Sequence, residues 1–264
     1  MSAPSRYFVT PEVYDLMYAG FVTDVGVIVD EARAADGPVL EVACGSGRLL
    51  VPLLEAGVDA DGLDYDPPML DALRAKLALR GLRTGLHEAD MREFTLPRKY
   101  ALVVIGFNSF LHNLTQEDQI RTLRRCREHL APGGHLALMI FHPSAQKLLS
   151  FDGSPAVSIE VALDDGNRIR VIDSVTADRV AQINDVRRRY ERIDPDDRIV
   201  ETRDMAFELR YVYTPEMALL LRLAGFTRME VCSPFAKWNG ERLVPPQPPQ
   251  DGGVHLWRAW AEAA

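Results

Sequence analysis

The chain has 264 residues, 47% of them hydrophobic and 26% charged, enough for one large α/β domain or for one such domain carrying an insertion. A net charge of −8 leaves no global excess of Lys and Arg to neutralise phosphates, so a nucleic-acid partner is not expected. Cys44, Cys126 and Cys232 form neither a disulfide framework nor a zinc spacing, the first residues lack a signal-peptide stretch, and no run is long enough to cross a bilayer. The expectation is a reduced, cytoplasmic protein with no metal site and no membrane partner.

From residue 11 helix and strand alternate. Thr10 reads as an N-cap ahead of Pro11, opening a helix through Tyr14, Leu16, Met17 and Tyr18. A second helical stretch, 22–35, stops at Gly37 and Pro38. The apolar run 38–43 predicts a buried first strand. A glycine turn, a helix over 49–56, a strand over 59–63 and a helix over 67–79 follow. Strands are predicted over 86–89 and 101–105, the latter buried on both faces. A charged amphipathic helix over 118–130 ends at Pro132, Gly133 and Gly134, and 135–141 forms a fifth strand. This alternation predicts a mainly parallel sheet with right-handed crossovers.

Between 150 and 213 the helical period disappears. Segments 157–163 and 168–176 flank Asp164, Asp165, Gly166 and Asn167, a strong hairpin signal, and 180–193 and 198–212 flank a second turn at Asp194–Asp197. The reading is an antiparallel insertion of four segments that covers an acceptor pocket or builds a homodimer contact. Thr214, Pro215 and Glu216 restart a helix that Gly225 ends. Segments 227–232 and 255–261 close the chain as strands around a loop containing Pro245 to Pro249.

The chemistry concentrates where the first strand enters its turn, at Glu41, Ala43, Gly45 and Gly47. Glycines permit positive φ and let a ligand approach without a Cβ in the way. In an open α/β sheet this crossover lies beside the switch point where ligands bind. The second strand ends at Asp64, placing a carboxylate where a ribose diol finds two acceptors. A dinucleotide site fits poorly, because its fingerprint wants a small residue where Leu50 stands and Glu41 would face a pyrophosphate. A carboxylate at Glu41 suits a cationic ligand better.

Glu41, Ala43, Gly45 and Gly47, then Gly62 to Leu70 with Asp64 inside it, then His87 to Met91, then Leu130 to Gly134, resemble in order the motifs of class I S-adenosylmethionine-dependent methyltransferases. Ala43 stands where the family usually has its first glycine. The resemblance covers residues 11–145 in motif order and the last helix and strands more loosely. It leans towards sugar and amino-acid N-methyltransferases and bacterial natural-product enzymes. It implies a doubly wound, mainly parallel seven-stranded Rossmann-like sheet with an antiparallel insertion after strand 5. The parts would be an N-terminal helical lid (1–36), an S-adenosylmethionine-binding core (37–149), the insertion (150–213) and the rest of the core (214–264). The implied activity is methyl transfer to nitrogen or oxygen of a small-molecule acceptor, releasing S-adenosylhomocysteine. Proteins of this fold that use the cofactor without methyl transfer are the alternative; a degenerate binding module is a third reading.

The same resemblance gives Glu41 to the cofactor's cationic end, Asp64 to its ribose, Asp90 to the adenine amino group and Met91 to the ring. Tyr18, Tyr65, Met69 and Phe107 are further cofactor candidates, with Met69 also suited to the core. Asp66 is a better helix cap than Asp64, and Cys44 reads as a small turn residue. At the end of the fourth strand Asn108 has a claim to the donor methyl, whereas His112 reads as the start of the next helix. His142, just past the fifth strand, is the candidate base, a loop histidine fixed by Pro143 being the alternative. Tyr14 and Tyr18, one helical turn apart, should face together, closing over the site or packing into the core. Tyr14 is the third catalytic candidate. Arg187, Arg188 and Arg189 would be split between the two faces of a strand, and they read as a solvated face rather than a phosphate site.

Overall fold

A computed structural model describes residues 10–235 and 242–261; the N-terminal segment searched for a leader lies outside the described residues. The α/β part contains α1 (Pro11–Tyr18), α2 (Thr23–Ala35), β1 (Val39–Val42), α3 (Leu50–Glu55), β2 (Ala60–Asp64), α4 (Pro67–Arg80), β3 (Leu86–Glu88) and β4 (Tyr100–Ile105). A 3₁₀ turn, Ser109–His112, leads to α5 (Gln116–Glu128), β5 (Leu130–His142) and α6 (Ala145–Leu149). The insertion is β6 (Asp152–Ala162), β7 (Arg168–Asp178), β8 (Ile183–Ile193) and β9 (Ile199–Arg210). Then come α7 (Thr214–Leu223), β10 (Arg228–Phe235), β11 (Arg242–Gln247) and β12 (Gly253–Trp260).

The main sheet has the order β11-β10-β12-β5-β4-β1-β2-β3, with β1 parallel to both β2 and β4. Alternation along β1 builds two cores at once. Leu40 and Val42 join Val103, Ile105, Leu123 and Leu221 on one face, while Val39 joins Ile28, Leu50, Leu73 and Val104 on the other. Burial on both faces is why these strands read as apolar runs. Ile28 and its neighbours Val27 and Ala32 on α2 belong to this core. Among the described residues of the region expected as a lid, those on the cavity wall come from α1 and the turn after it.

Two strand boundaries correct the sequence reading. β11 adds an eighth strand, and the segment expected as a proline loop begins inside it. Gln247 pairs with Ser233 and Arg242 with Phe235 at the sheet edge, where the missing proline N–H of Pro245 and Pro246 is tolerated. β5 starts at Leu130, five residues early, and absorbs the Pro-Gly-Gly turn as an irregularity: Tyr100 pairs with Leu130, but Leu102 already pairs with His135. Gly134 is required there, since a Cβ would sit 2.8 Å from the Tyr100 carbonyl oxygen and 2.9 Å from that of Ala101.

The insertion forms a separate antiparallel sheet, β6-β7-β8-β9. Its inner face packs Ile169, Val171 and Tyr190 against Met17 of α1. At its far end the buried Arg210 guanidinium donates to Gln119 on α5 at 2.9 Å and to Glu216 on α7 at 2.7 Å. The inserted sheet is thereby tied to the core on one side and carries α1 on the other.

Candidate active site

The carboxyl ends of β1, β2 and β4 open into a cavity of about 870 Å³, roofed by α1 and by the inserted sheet. This is the crevice that strand-order reversal creates around β1. Eleven of the residues expected from sequence line it: Tyr14, Tyr18, Ala43, Gly45, Asp64, Tyr65, Met69, Asp90, Met91, Phe107 and Asn108. Glu41, Gly47 and His142 are not on its wall.

The turn after β1 takes positive φ at Ala43 (61°), Gly45 (53°) and Gly47 (90°). Ala43 thus keeps the left-handed conformation that a glycine would adopt there, at a cost of about 1–2 kcal/mol. Gly45 and Gly47 differ in surroundings. A Cβ on Gly45 would meet nothing within 4 Å, while one on Gly47 would run into Leu73 and Val51. Gly45 therefore faces ligand space, and Gly47 is the packing glycine of the turn.

Asp64 holds this turn. Its Oδ2 accepts the Gly45 N–H at 2.7 Å and its Oδ1 the Asp66 N–H at 2.9 Å, leaving further lone pairs on each oxygen for a ligand diol. Burial lifts its pKa to about 6 against those two backbone bonds. Behind the turn, buried Glu41 has an Oε2 without a hydrogen-bond partner among the described residues, and burial raises its pKa well above the usual carboxylate range. Asp90 is forked by Arg92, whose Nε donates to Oδ1 at 2.9 Å and Nη2 to Oδ2 at 2.6 Å; the arginine holds that carboxyl low.

At the end of β4, Phe107 has φ 55°, a strained conformation for a bulky residue at a functional edge. Its ring packs on Tyr18 (5.2 Å between centroids) and Phe21 (5.3 Å), and Tyr18 packs on Tyr14 (4.8 Å), so the two tyrosines do face together. The next residue, Asn108, is on the cavity wall. Its Oδ1 accepts the Phe141 N–H at 2.8 Å and braces the turn against β5.

The expectation for His142 is corrected. The antiparallel β12 runs beside β5 and pairs Gly253 with His142, so β12 covers the strand end that was expected to open into the site. The imidazole stacks on His255 at 4.4 Å and meets the Tyr213 ring edge at 5.6 Å, outside the cavity. The imidazole on the wall belongs instead to His112, whose pKa burial drives down to about 4.

Known proteins share this architecture. Residues 39–134 match the methyltransferase domain family. The cypemycin N-terminal methyltransferase of a Streptomyces species is 32% identical over 186 residues, covering 69% of this chain and 73% of that protein. The chain belongs to the S-adenosylmethionine-dependent methyltransferases. The dTDP-3-amino-3,4,6-trideoxy-alpha-D-glucopyranose N,N-dimethyltransferase of Streptomyces venezuelae is 34% identical over 130 residues, and the match spans 47% of this chain and about half, 53%, of that relative. Among solved structures, the CcbJ methyltransferase of Streptomyces caelestis superposes with a TM-score of 0.76 at 25% identity, covering 99% of this chain and 100% of that one.

The residues of this methyltransferase fit its cofactor, S-adenosylmethionine. The orphaned, buried Glu41 Oε2 offers an acceptor beneath the turn, and the open space at Gly45 admits a ligand against the backbone. Asp64 would hold the ribose, Asp90 with Met91 and Tyr65 the adenine, and Phe107, Tyr14 and Tyr18 the methionine end.

Among the wall residues that sequence reading missed are His112, Arg92 and Arg188. It also missed how the methyltransferase holds its roof. Ser46 Oγ donates to Asp15 Oδ1 of α1 at 2.6 Å, Lys76 of α4 pairs with the same carboxylate, and Lys76 Nζ donates to the Ser46 carbonyl at 2.7 Å. Arg48 forks the fully buried Asp24 at 2.7 and 2.6 Å and lies over the Phe107 ring. The cofactor turn therefore grips α1 and α2 directly. Asp15→Ala should speed S-adenosylhomocysteine release by about tenfold, the effect of losing one charged hydrogen bond. The melting temperature should barely move, because a partly exposed ion pair contributes about 0–1 kcal/mol. Stopped-flow displacement checks this; an unchanged release rate would show that Asp15 does not hold α1 closed.

Proposed function

We propose that the enzyme methylates the amine nitrogen of a small natural-product-type metabolite. The observation that carries this reading is the chemistry of the cavity's imidazole. A hydroxyl acceptor needs a base whose pKa lies near the working pH. His112, held down to about 4, accepts a hydrogen bond at neutral pH but scarcely takes up a proton. An amine that is already neutral brings its own lone pair and needs alignment and exclusion of water. The names of two relatives, an N-terminal methyltransferase for cypemycin and an amino-sugar N,N-dimethyltransferase, support the same acceptor atom.

S-adenosylmethionine supplies an electrophilic methyl group on a sulfonium. The chain's own residues align and shield. Tyr14, Tyr18 and Phe107 close the donor end, Asn108 fixes the turn beneath them, and His112 orients the acceptor nitrogen through a hydrogen bond. A cytoplasmic location is part of the proposal, supported by three cysteines that are all free thiols. Among the described residues no helix is long and apolar enough to cross a membrane.

The test is incubation of a metabolite extract with methyl-labelled cofactor, followed by identification of the labelled product. Label on nitrogen with stoichiometric S-adenosylhomocysteine supports the proposal, and label on oxygen overturns it. With that acceptor, the rate should rise with pH as its ammonium loses a proton, without an inflection near 6.5 from an imidazole. His112→Ala should lower turnover about tenfold through lost orientation while leaving the profile's shape unchanged. A loss of 10²–10⁴ with a changed profile would make His112 a general base instead.

A further inference from the structure

The inserted sheet buries an ion pair where packing alone would favour apolar residues. Register places Arg188 on β8 directly opposite Asp173 on β7, on the same face as Val171, Val186 and Tyr190. Arg188 Nε donates to Asp173 Oδ1 at 2.6 Å and Nη2 to Oδ2 at 2.8 Å, with side-chain exposures of only 10% and 16%. Replacing such a buried pair by apolar side chains of similar volume is often neutral or stabilising, so stability does not account for it. The neighbouring arginines of the triplet, Arg187 and Arg189, are 78% and 52% exposed, as the strand's period of two requires. The inward one lines the cavity beside His112.

The fork to Asp173 fixes the guanidinium plane. Its third nitrogen, Nη1, is not used in the fork, and the Cζ lies 5.4 Å from the centre of the Phe207 ring. Two residues along the same face, the buried Tyr190 hydroxyl lies within reach of the same guanidinium. An oriented guanidinium therefore stands on the part of the cavity wall that the inserted sheet contributes. Guanidinium N–H groups bind oxygen anions more strongly than neutral oxygens.

We propose that Arg188, oriented by Asp173, forms a subsite for an oxygen anion on the methyl acceptor, a carboxylate or a phosphate group remote from its amine. This rests on the amine-methylating reading above and names the class of amine. An acceptor bound this way is anchored at both ends: His112 meets the nitrogen and Arg188 the anion.

Calorimetry on enzyme saturated with S-adenosylhomocysteine tests it with two matched pairs, 6-aminohexanoate against hexylamine and glucosamine 6-phosphate against glucosamine. The anionic member of at least one pair should bind tenfold or more tightly than its neutral partner, the usual effect of a charged hydrogen bond. The pair that shows the preference distinguishes carboxylate from phosphate. Arg188→Lys, which keeps the charge but loses the fork, should reduce that preference several-fold. The double variant Arg188→Met/Asp173→Leu, which leaves no charge unpaired, should abolish it. Both should bind S-adenosylhomocysteine like the wild type. Equal affinity within both pairs, no binding by either anionic probe, or a preference that survives in the double variant overturns the subsite. Failure of the wild type to bind S-adenosylhomocysteine, or label on an acceptor oxygen, would instead count against the methylation reading beneath it.

Discussion

Asp64→Ala should weaken S-adenosylmethionine binding by about 1.5–3 kcal/mol, roughly 10–150-fold, through loss of charged-acceptor bonds to the ribose. The same carboxylate should make binding depend on pH. Its pKa of about 6 in the free protein means that it gains a proton on mild acidification, and a protonated carboxyl is a poorer acceptor for two hydroxyls. Affinity should therefore fall below pH 6 by up to about tenfold per unit, and Asp64→Asn should flatten that profile. The stability of the cofactor-free protein runs in the opposite direction. A folded pKa raised above the usual 3.8 adds stability that is fully present below pH 4 and is lost as pH rises through 6. Calorimetry across pH 5–8 and thermal unfolding across pH 4–7 measure the two effects. Affinity indifferent both to pH and to the alanine substitution would remove Asp64 from the cofactor site.

Gly47→Ala should cost about 2–5 kcal/mol of stability, combining a left-handed alanine with overpacking against Leu73 and Val51. For a chain of this size that corresponds to a fall in melting temperature of roughly 5–15 °C. Gly45→Ala should cost only about 1–2 kcal/mol, since its Cβ would project into open space. The ordering should reverse in binding. Gly45→Ala, on the cavity wall, should reduce cofactor affinity at temperatures where the fold is intact, whereas folded Gly47→Ala should bind nearly as well as wild type. Thermal unfolding and calorimetry on the two proteins separate the roles. Equal melting temperatures would mean that Leu73 and Val51 yield more readily than their positions suggest.

The parts legible in the sequence are those encoded by neighbours along the chain. Asp64 ends β2, Asp90 follows β3 by two residues, and the turn between Glu41 and Gly47 joins strand to helix within a few residues, so periodicity and spacing locate them. Thr10 and Pro11 likewise announce α1, and the Thr10 hydroxyl does accept the Val13 N–H at 3.3 Å. What stayed hidden depends on pairing between distant segments. Arg188 faces inward only because β8 registers with β7 and β9 as it does; a slip by one residue would send it to solvent and bring Arg187 or Arg189 in. Nothing near residue 142 signals that a strand beginning at Gly253 lies beside it and covers His142. His112 looked like a helix start, and it does close a 3₁₀ turn; its cavity position comes from β9, whose Phe207 ring lies 6.0 Å away.

One helix touches both binding regions. α1 is pinned to the cofactor turn through Asp15 and rests on the inserted sheet through Met17. Exchanging spent cofactor for fresh requires that helix to lift, and lifting it uncovers the acceptor as well. An amine with two methylatable hydrogens should therefore be processed distributively. The singly methylated species should build up in solution before the doubly methylated one appears, and an added excess of fresh amine should trap the reaction at the first stage.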